Sequence, residues 1–323
     1  MWNPYGILII AKHEAKTVVN ILSNNRIILY TENNEYDCYI AFLYLTDQKI
    51  MSILAGEKFE LKLLPSNTVA LHEECEDNRS GRLIERFNDE NVLYNPLIVA
   101  YINDKYILID GANRFEALRQ IGCKAILAQL VDYTSSSVVL KSWYHFVSFM
   151  TIKELELFCI ESGMTFTMLL KKRKPQSNNE LIVLSTDGCA ASIMLSEVLE
   201  TRLASLSLLN RYYERNFSYT RIDSDTDIAN VGDLSPDEGL LFVFPDLAKE
   251  DIIAIADLKQ KLPAGISRHM IPNRVLHIKI LVDALKTDEN IDKRNIELEK
   301  YIQHKIDSKK VRLYREPILV FDE

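Results

Sequence analysis

Tyr106-Ile107-Leu108-Ile109-Asp110-Gly111-Ala112-Asn113-Arg114-Phe115-Glu116-Ala117-Leu118-Arg119-Gln120-Ile121-Gly122 changes periodicity in its middle. Tyr106–Asp110 is a short apolar run of strand type. Gly111 breaks it, and Phe115, Leu118 and Ile121 then recur at the spacing of one helix face. Gly122 is a good C-terminal stop for that helix, and Ala125–Val131 follows as a further strand. A strand, a glycine turn and a helix beginning near Arg114 make a sensible anion site. Gly111 lets backbone approach an oxyanion, the helix start offers free N–H groups, and Arg114 supplies a cationic fork.

Working outward, Pro96 precedes a strand over Leu97–Tyr101, and Asn103-Asp104 turns it back into Tyr106–Asp110. Upstream, Phe59–Leu64 reads as a strand, Pro65-Ser66-Asn67 as a turn and Val69–Leu71 as a strand. A polar stretch from His72 to Arg79 leads to Leu83, Ile84 and Phe87 at helical spacing, ending near Asn91. The fold class expected is α/β (α+β).

The rest of the chain divides around this segment. Residues 1–58 read as a small accessory α/β module, with a strand at Ile7–Ala11, a helix at Glu14–Leu22, a strand at Arg26–Tyr30, and strand or helix at Tyr39–Leu45. Residues 59–150 form the central domain, whose last part, with Leu140, Trp143, Tyr144, Phe146 and Val147, is expected to be an amphipathic helix. Helical patterning continues to Leu170. In the third segment, 151–323, the expected elements are strands at Leu181–Ser185, Leu240–Phe244 and Ile318–Phe321, and helices at Ala191–Tyr213, Ile252–Leu262 and Asp288–Lys305. Lys171-Lys172-Arg173-Lys174 is read as a solvated loop.

Composition argues against several classes. In 323 residues, 38 Lys and Arg stand against 46 Asp and Glu, a net charge of −8, whereas a duplex-DNA binder normally carries a basic surface. The five cysteines are scattered without a CxxC pair, so reduced thiols are expected. No apolar stretch approaches membrane-spanning length. A cytoplasmic protein is the expectation.

The segment Ile109–Gly122 resembles the core motif of the ParB/sulfiredoxin superfamily: an apolar strand, a glycine turn ending in Arg, an Ala-Leu helix and a closing Gly. Leu64-Pro65 through His72-Glu73-Glu74 is similar to the segment that opens this fold. Within the superfamily the chain resembles the free L-serine kinase group (SerK-type and SbnI-type). Val131-Asp132-Tyr133 and Trp143-Tyr144-His145 support that group. So does Leu262-Pro263-Ala264-Gly265-Ile266-Ser267-Arg268-His269 followed by Ile271-Pro272-Asn273-Arg274-Val275-Leu276, which is similar to a segment reading roughly PxGxTRHxxxxR. The resemblance covers residues 60–323. The kinases usually carry His before the motif Arg, where this chain has Asn113.

The resemblance implies a ParB/sulfiredoxin-like nucleotide-binding domain, a C-terminal substrate-binding domain, and phosphorylation of free L-serine to O-phospho-L-serine. ATP or ADP would be the donor, with Mg²⁺, and the product would feed siderophore or amino-acid biosynthesis. Glu73 or Glu74 would supply the catalytic carboxylate, Glu74 being slightly favoured; alternation along an extended chain lets only one face the site. Asp110 would act as metal ligand or orienting group. Gly111, Ala112, Asn113 and Arg114 would hold the donor phosphates. Trp143, His145, Arg268 and His269 would line the serine pocket, although His145 reads equally as a satisfied helix histidine. A homodimer is compatible with the resemblance. The competing reading is a ParB-like nucleotide-sensing or DNA-binding regulator; Asn113 and Lys171–Lys174 favour it, while the acidic charge and the lack of a clear helix-turn-helix segment oppose it.

Overall fold

The computed structural model describes residues 7–12, 15–22, 26–31, 51–54 and 57–314, with side chains from residue 59 onward. The chain separates into two compact units, residues 1–49 and 50–323. In the first, β1 (Ile7–Lys12), β2 (Ala15–Leu22) and β3 (Arg26–Thr31) form an antiparallel meander. The segment expected to be helical from Glu14 is therefore a strand over Ala15–Leu22. Its Thr17, Val18, Val19 and Ile21 are β-branched residues, which fit a pleated strand better than a helix. The expected elements at Tyr39–Leu45 and Ile318–Phe321 lie outside the described residues.

The second unit begins with β4 (Met51–Leu54), β5 (Glu57–Pro65), β6 (Val69–Leu71), α1 (Asp77–Glu90) and β7 (Val92–Leu93). Then come β8 (Leu97–Ile102), β9 (Lys105–Asp110), α2 (Ala112–Gln120) and β10 (Ala125–Val131). Six of these strands make a mixed sheet in the order β4-β5-β10-β8-β9-β6. The strands and helices expected from residue 59 to residue 131 are all present. Asn91, at φ 53°, ends α1 in the left-handed conformation that asparagine tolerates.

Next come β11 (Val139–Ser148), α3 (Ile152–Glu161), β12 (Thr165–Leu169), β13 (Glu180–Ser185), β14 (Ala190–Met194), α4 (Leu199–Asn216), β15 (Tyr219–Asp223) and β16 (Gly239–Val243). They are followed by α5 (Lys249–Asp257), β17 (Ser267–Met270), β18 (Ile280–Leu281), α6 (Val282–Lys286) and α7 (Ile291–Asp307). The second sheet runs β12-β14-β13-β16-β11-β15, and β17 pairs with the first half of β11.

Four expectations fail in this half. Helical patterning does not continue to Leu170: Thr165–Leu169 is strand β12, paired antiparallel with β14, and its Thr165, Phe166 and Thr167 are β-branched or aromatic residues that fit a pleated strand. The segment around Trp143 is strand β11, not a helix. Tyr144 through Ser148 are all buried, so this half of the strand has no solvent face and its sequence shows no alternation. Ala191–Met194, taken as the start of a long helix, belongs to β14, which pairs with β13 around the Asp187-Gly188 turn. The helix expected at Ile252–Leu262 ends at Asp257, and Leu262 instead joins an isolated bridge to Glu73.

The last helices return to the first sheet. Val282, Leu285, Leu298 and Ile302 share a core with Leu61, Leu64, Phe115, Leu118 and Ile126. From α7, the buried Asn295 accepts from the Leu63 N–H at 2.7 Å and donates to the Leu63 carbonyl at 3.0 Å. No helix among the described residues is long and apolar enough to cross a membrane.

Candidate active site

A cleft of about 890 Å³ opens between the end of β6, the start of α1, the β9–α2 turn and the segment 265–276. Among the residues that line it are Glu73, Glu74, Asp110, Gly111, Ala112, Asn113, Arg114, Trp143, Arg268 and His269. Seven arginines and four carboxylates line it, so the cleft is locally positive in an acidic chain. His145 is not among its lining.

Gly111 sits at φ 104°, where a side chain would be strained, and precedes the first turn of α2. The early N–H groups of α2 are the ones a helix leaves without internal partners. Arg114 reaches back from this turn. It donates to the Asn95 and Pro96 carbonyls at 3.2 and 3.0 Å and to Asp110 Oδ2 at 3.0 Å. Arg274 meets the same Asp110 oxygen at 3.2 Å. The Asn113 Oδ1 accepts from the Glu76 N–H at 2.7 Å, fastening the approach to α1 against the start of α2.

The two neighbouring glutamates diverge, as an extended backbone requires. Glu74 turns toward α4, where its Oε1 accepts from Ser207 and Arg211, each at 3.3 Å. Glu73 is only 18% exposed in its side chain. Its Oε1 accepts from the Gly265 N–H at 2.6 Å and its Oε2 accepts from the Ser267 hydroxyl. Burial pushes this carboxyl up to about 7, helped by the charge of Asp110 and opposed by the Ser267 and Gly265 hydrogen bonds and by Arg221.

Three histidines surround this carboxylate region, all held neutral by burial. His72, lowered to about 4, has its Nδ1 at 2.8 Å from the Leu108 carbonyl. A carbonyl only accepts, so Nδ1 carries the proton and Nε2 faces Ser267 Oγ, 3.1 Å away, as an acceptor. His269, lowered to about 3, lies with its Nε2 at 2.8 Å from the Tyr133 hydroxyl. His145, also lowered to about 3, donates from Nε2 to the Gly265 carbonyl at 2.9 Å and accepts from Tyr213 at 2.6 Å. It lies behind the cleft wall, in a strand, and touches the carbonyl of the residue whose N–H holds Glu73.

At the other end of the cleft, Arg268 lies over the Trp143 ring, 4.3 Å from its centroid, and pairs with Asp223. Arg221 pairs with Glu76. Sequence reading did not single out Ser267, Arg221, Glu76 or His72 for a role. Their partners lie far away along the chain, 194 residues for Ser267–Glu73 and 145 for Arg221–Glu76. The one signal within reach was position: His72 adjoins Glu73, and Ser267 adjoins Arg268 within the quoted motif.

No family model matches the chain. It is 24% identical over 233 residues to the ATP-dependent L-serine kinase SbnI of Staphylococcus aureus, covering 72% of this chain and 86% of that one. It is 39% identical over 85 residues to an ATP-dependent L-serine kinase of Staphylothermus marinus, covering 26% of this chain and 31% of the relative. The chain thus matches about a third of that archaeal relative's length. Among solved structures, C-terminally truncated SbnI from Staphylococcus aureus superposes with a TM-score of 0.63 at 21% identity, covering 76% of this chain and 97% of that one. A free serine kinase in complex with AMP superposes with a TM-score of 0.60 at 16% identity, covering 70% and 93%.

Proposed function

We propose that this chain, which belongs to the free L-serine kinase family on the ParB/sulfiredoxin fold, transfers a phosphoryl group from ATP or ADP to the hydroxyl of L-serine, giving O-phospho-L-serine. The observation that carries this reading is one cleft holding three things: the Glu73 carboxylate on its Gly265 and Ser267 donors, the β9–α2 turn, and the Trp143–Arg268 pair.

Phosphoryl transfer needs positioning and charge stabilisation more than covalent help from the protein. Glu73 is the base in this reading, in preference to Glu74. Its carboxyl, near 7, matches the operating range of a general base, while Glu74 is engaged by α4. Donor phosphates take the free N–H groups at the start of α2, together with Asn113 and the arginines along the cleft. Arg114 acts mainly by holding the turn, through two backbone carbonyls and Asp110. Arg268, with its ring-stacked fork, receives the serine carboxylate beside Trp143. His269 closes the wall next to it, and His145 serves from behind through Gly265.

Asp110 is the residue that would hold Mg²⁺. It is a part-exposed carboxylate in the cleft lining, and Mg²⁺ commonly takes one or two carboxylates with the remaining sites filled by phosphate and water. The ion would neutralise charge on the transferred group. Residues 59–150 carry the nucleotide side, and residues 151–323, with Trp143, carry the serine side. The chain works in the cytoplasm in this reading.

The test is direct. Purified protein incubated with L-serine and either ATP or ADP should form O-phosphoserine, dependent on both partners. No product with either donor, in the presence of Mg²⁺, removes the proposal.

A further inference from the structure

Ser267 stands between two acceptors. Its Oγ lies within hydrogen-bond reach of Glu73 Oε2 and 3.1 Å from His72 Nε2. A hydroxyl has one proton, so it serves one of them at a time. His72 is fixed as an acceptor on this side because its other nitrogen donates to the Leu108 carbonyl. Both His72 and Ser267 are buried, at 4% and 9% exposure, so bulk water is poorly placed to take over either bond.

We propose that the Ser267 hydroxyl changes partner during the reaction, donating to Glu73 while that group is a carboxylate and to His72 once it has taken the serine proton. This rests on the kinase reading and makes Ser267 and His72 positioning residues for the base. The atoms balance simply. The O–H bond of substrate serine breaks as its oxygen bonds phosphorus, the bond from phosphorus to the donor's bridging oxygen breaks and its electron pair leaves with the nucleotide, an O–H bond forms on Glu73, and Ser267 keeps its own proton and only rotates. A neutral carboxyl is the weaker acceptor, and the imidazole nitrogen then takes the hydrogen bond.

A full relay, with the proton passed on to His72, is the competing arrangement. Burial holds His72 at about 4 while Glu73 sits at about 7, so the proton rests on the glutamate and the histidine receives only a hydrogen bond. The charged and titratable groups around Glu73 are Asp110 from β9, Arg221 from β15, His72 from the end of β6 and Cys75 before α1. Lys261 acts on His72, and His269 meets the His72 ring edge-on at 5.4 Å.

The two partners pull the base in opposite directions, and this makes the exchange measurable. Ser267→Ala removes a donor from the ionised base, so the acid limb of kcat should move up by about one pH unit, the scale of one hydrogen bond to a charged group. His72→Asn keeps a donor for the Leu108 carbonyl but is too short to reach Ser267. It should move the limb down by a similar amount. Ser267→Thr should keep the wild-type profile. Shifts in the same direction, no shift in either variant, or failure of threonine to restore the profile would overturn the exchange. Thermal melting checks folding, and if Ser267→Ala does not fold, His72→Asn decides alone. Infrared titration of the Glu73 carboxyl, by difference against Glu73→Gln, reads the same shifts without turnover. A wild-type chain that makes no phosphoserine therefore sinks the kinase reading, whereas unmoved infrared midpoints sink the exchange.

Discussion

Glu73 is the residue on which chemistry and stability oppose each other. As a base it must be ionised, so turnover should fall as pH drops through about 7. Glu73→Gln should lower kcat by about 10²–10⁴-fold with donor affinity nearly unchanged, whereas Glu74→Gln should spare kcat, as steady-state kinetics and calorimetric titration would show. The stability effect has the opposite sign. The folded carboxyl titrates near 7 against an ordinary 4.5, so the folded state binds the proton more tightly. Stability is full below the unfolded value and is lost as pH rises through the folded one. Glu73→Gln should therefore be more stable than wild type at pH 8 by up to roughly 3 kcal/mol, and match it at about pH 4, below the unfolded value. An equal melting difference at both pH values would contradict the shift. Sequence alone left the two glutamates open. Alternation says that one faces the site, but which one depends on Gly265 and Ser267, far along the chain.

At the scale of elements, the β9–α2 unit was legible because its signals are local: an apolar run, a glycine and a helical repeat within seventeen residues. β11 was not, because its second half is buried on both faces and its aromatic run mimics a helix stripe. The Asp187-Gly188 turn before β14 was a hairpin signal that the helical reading passed over. The segment before β17 was legible as a motif but not as a shape. Gly265 has φ 78°, and a side chain there would land on the Arg221 guanidinium. Gly265→Ala should displace Arg221 from Glu76 and lift the Gly265 N–H away from Glu73. We expect kcat to fall at least tenfold with donor affinity within about twofold, since one charge-assisted hydrogen bond to the base is lost. Full activity in that variant would mean that the 265 peptide does not hold the base.

Over the whole molecule, net charge and local charge disagree. The chain carries −8, yet its cleft presents seven arginines to four carboxylates. A polyanionic donor is drawn by such a field, while zwitterionic serine carries no net charge. Raising salt from 50 to 500 mM should therefore raise the KM for the donor several-fold and change that for serine little, because screening shortens the reach of charge to a few ångströms. Equal responses of the two constants would argue against a field acting on the donor.

Val282, Leu285, Leu298 and Ile302 cover the same core as Leu61 and Leu64, and Asn295 completes the hydrogen bonding of Leu63. Synthesis runs at about 5–20 residues per second, so the ribosome takes roughly ten to thirty seconds to travel from Val131 to Ile302. Throughout that interval the six strands of the first sheet exist without the helices that cover them. The nascent chain carries an uncovered apolar face until translation is nearly done, and that face is what a chaperone waiting at the tunnel exit meets.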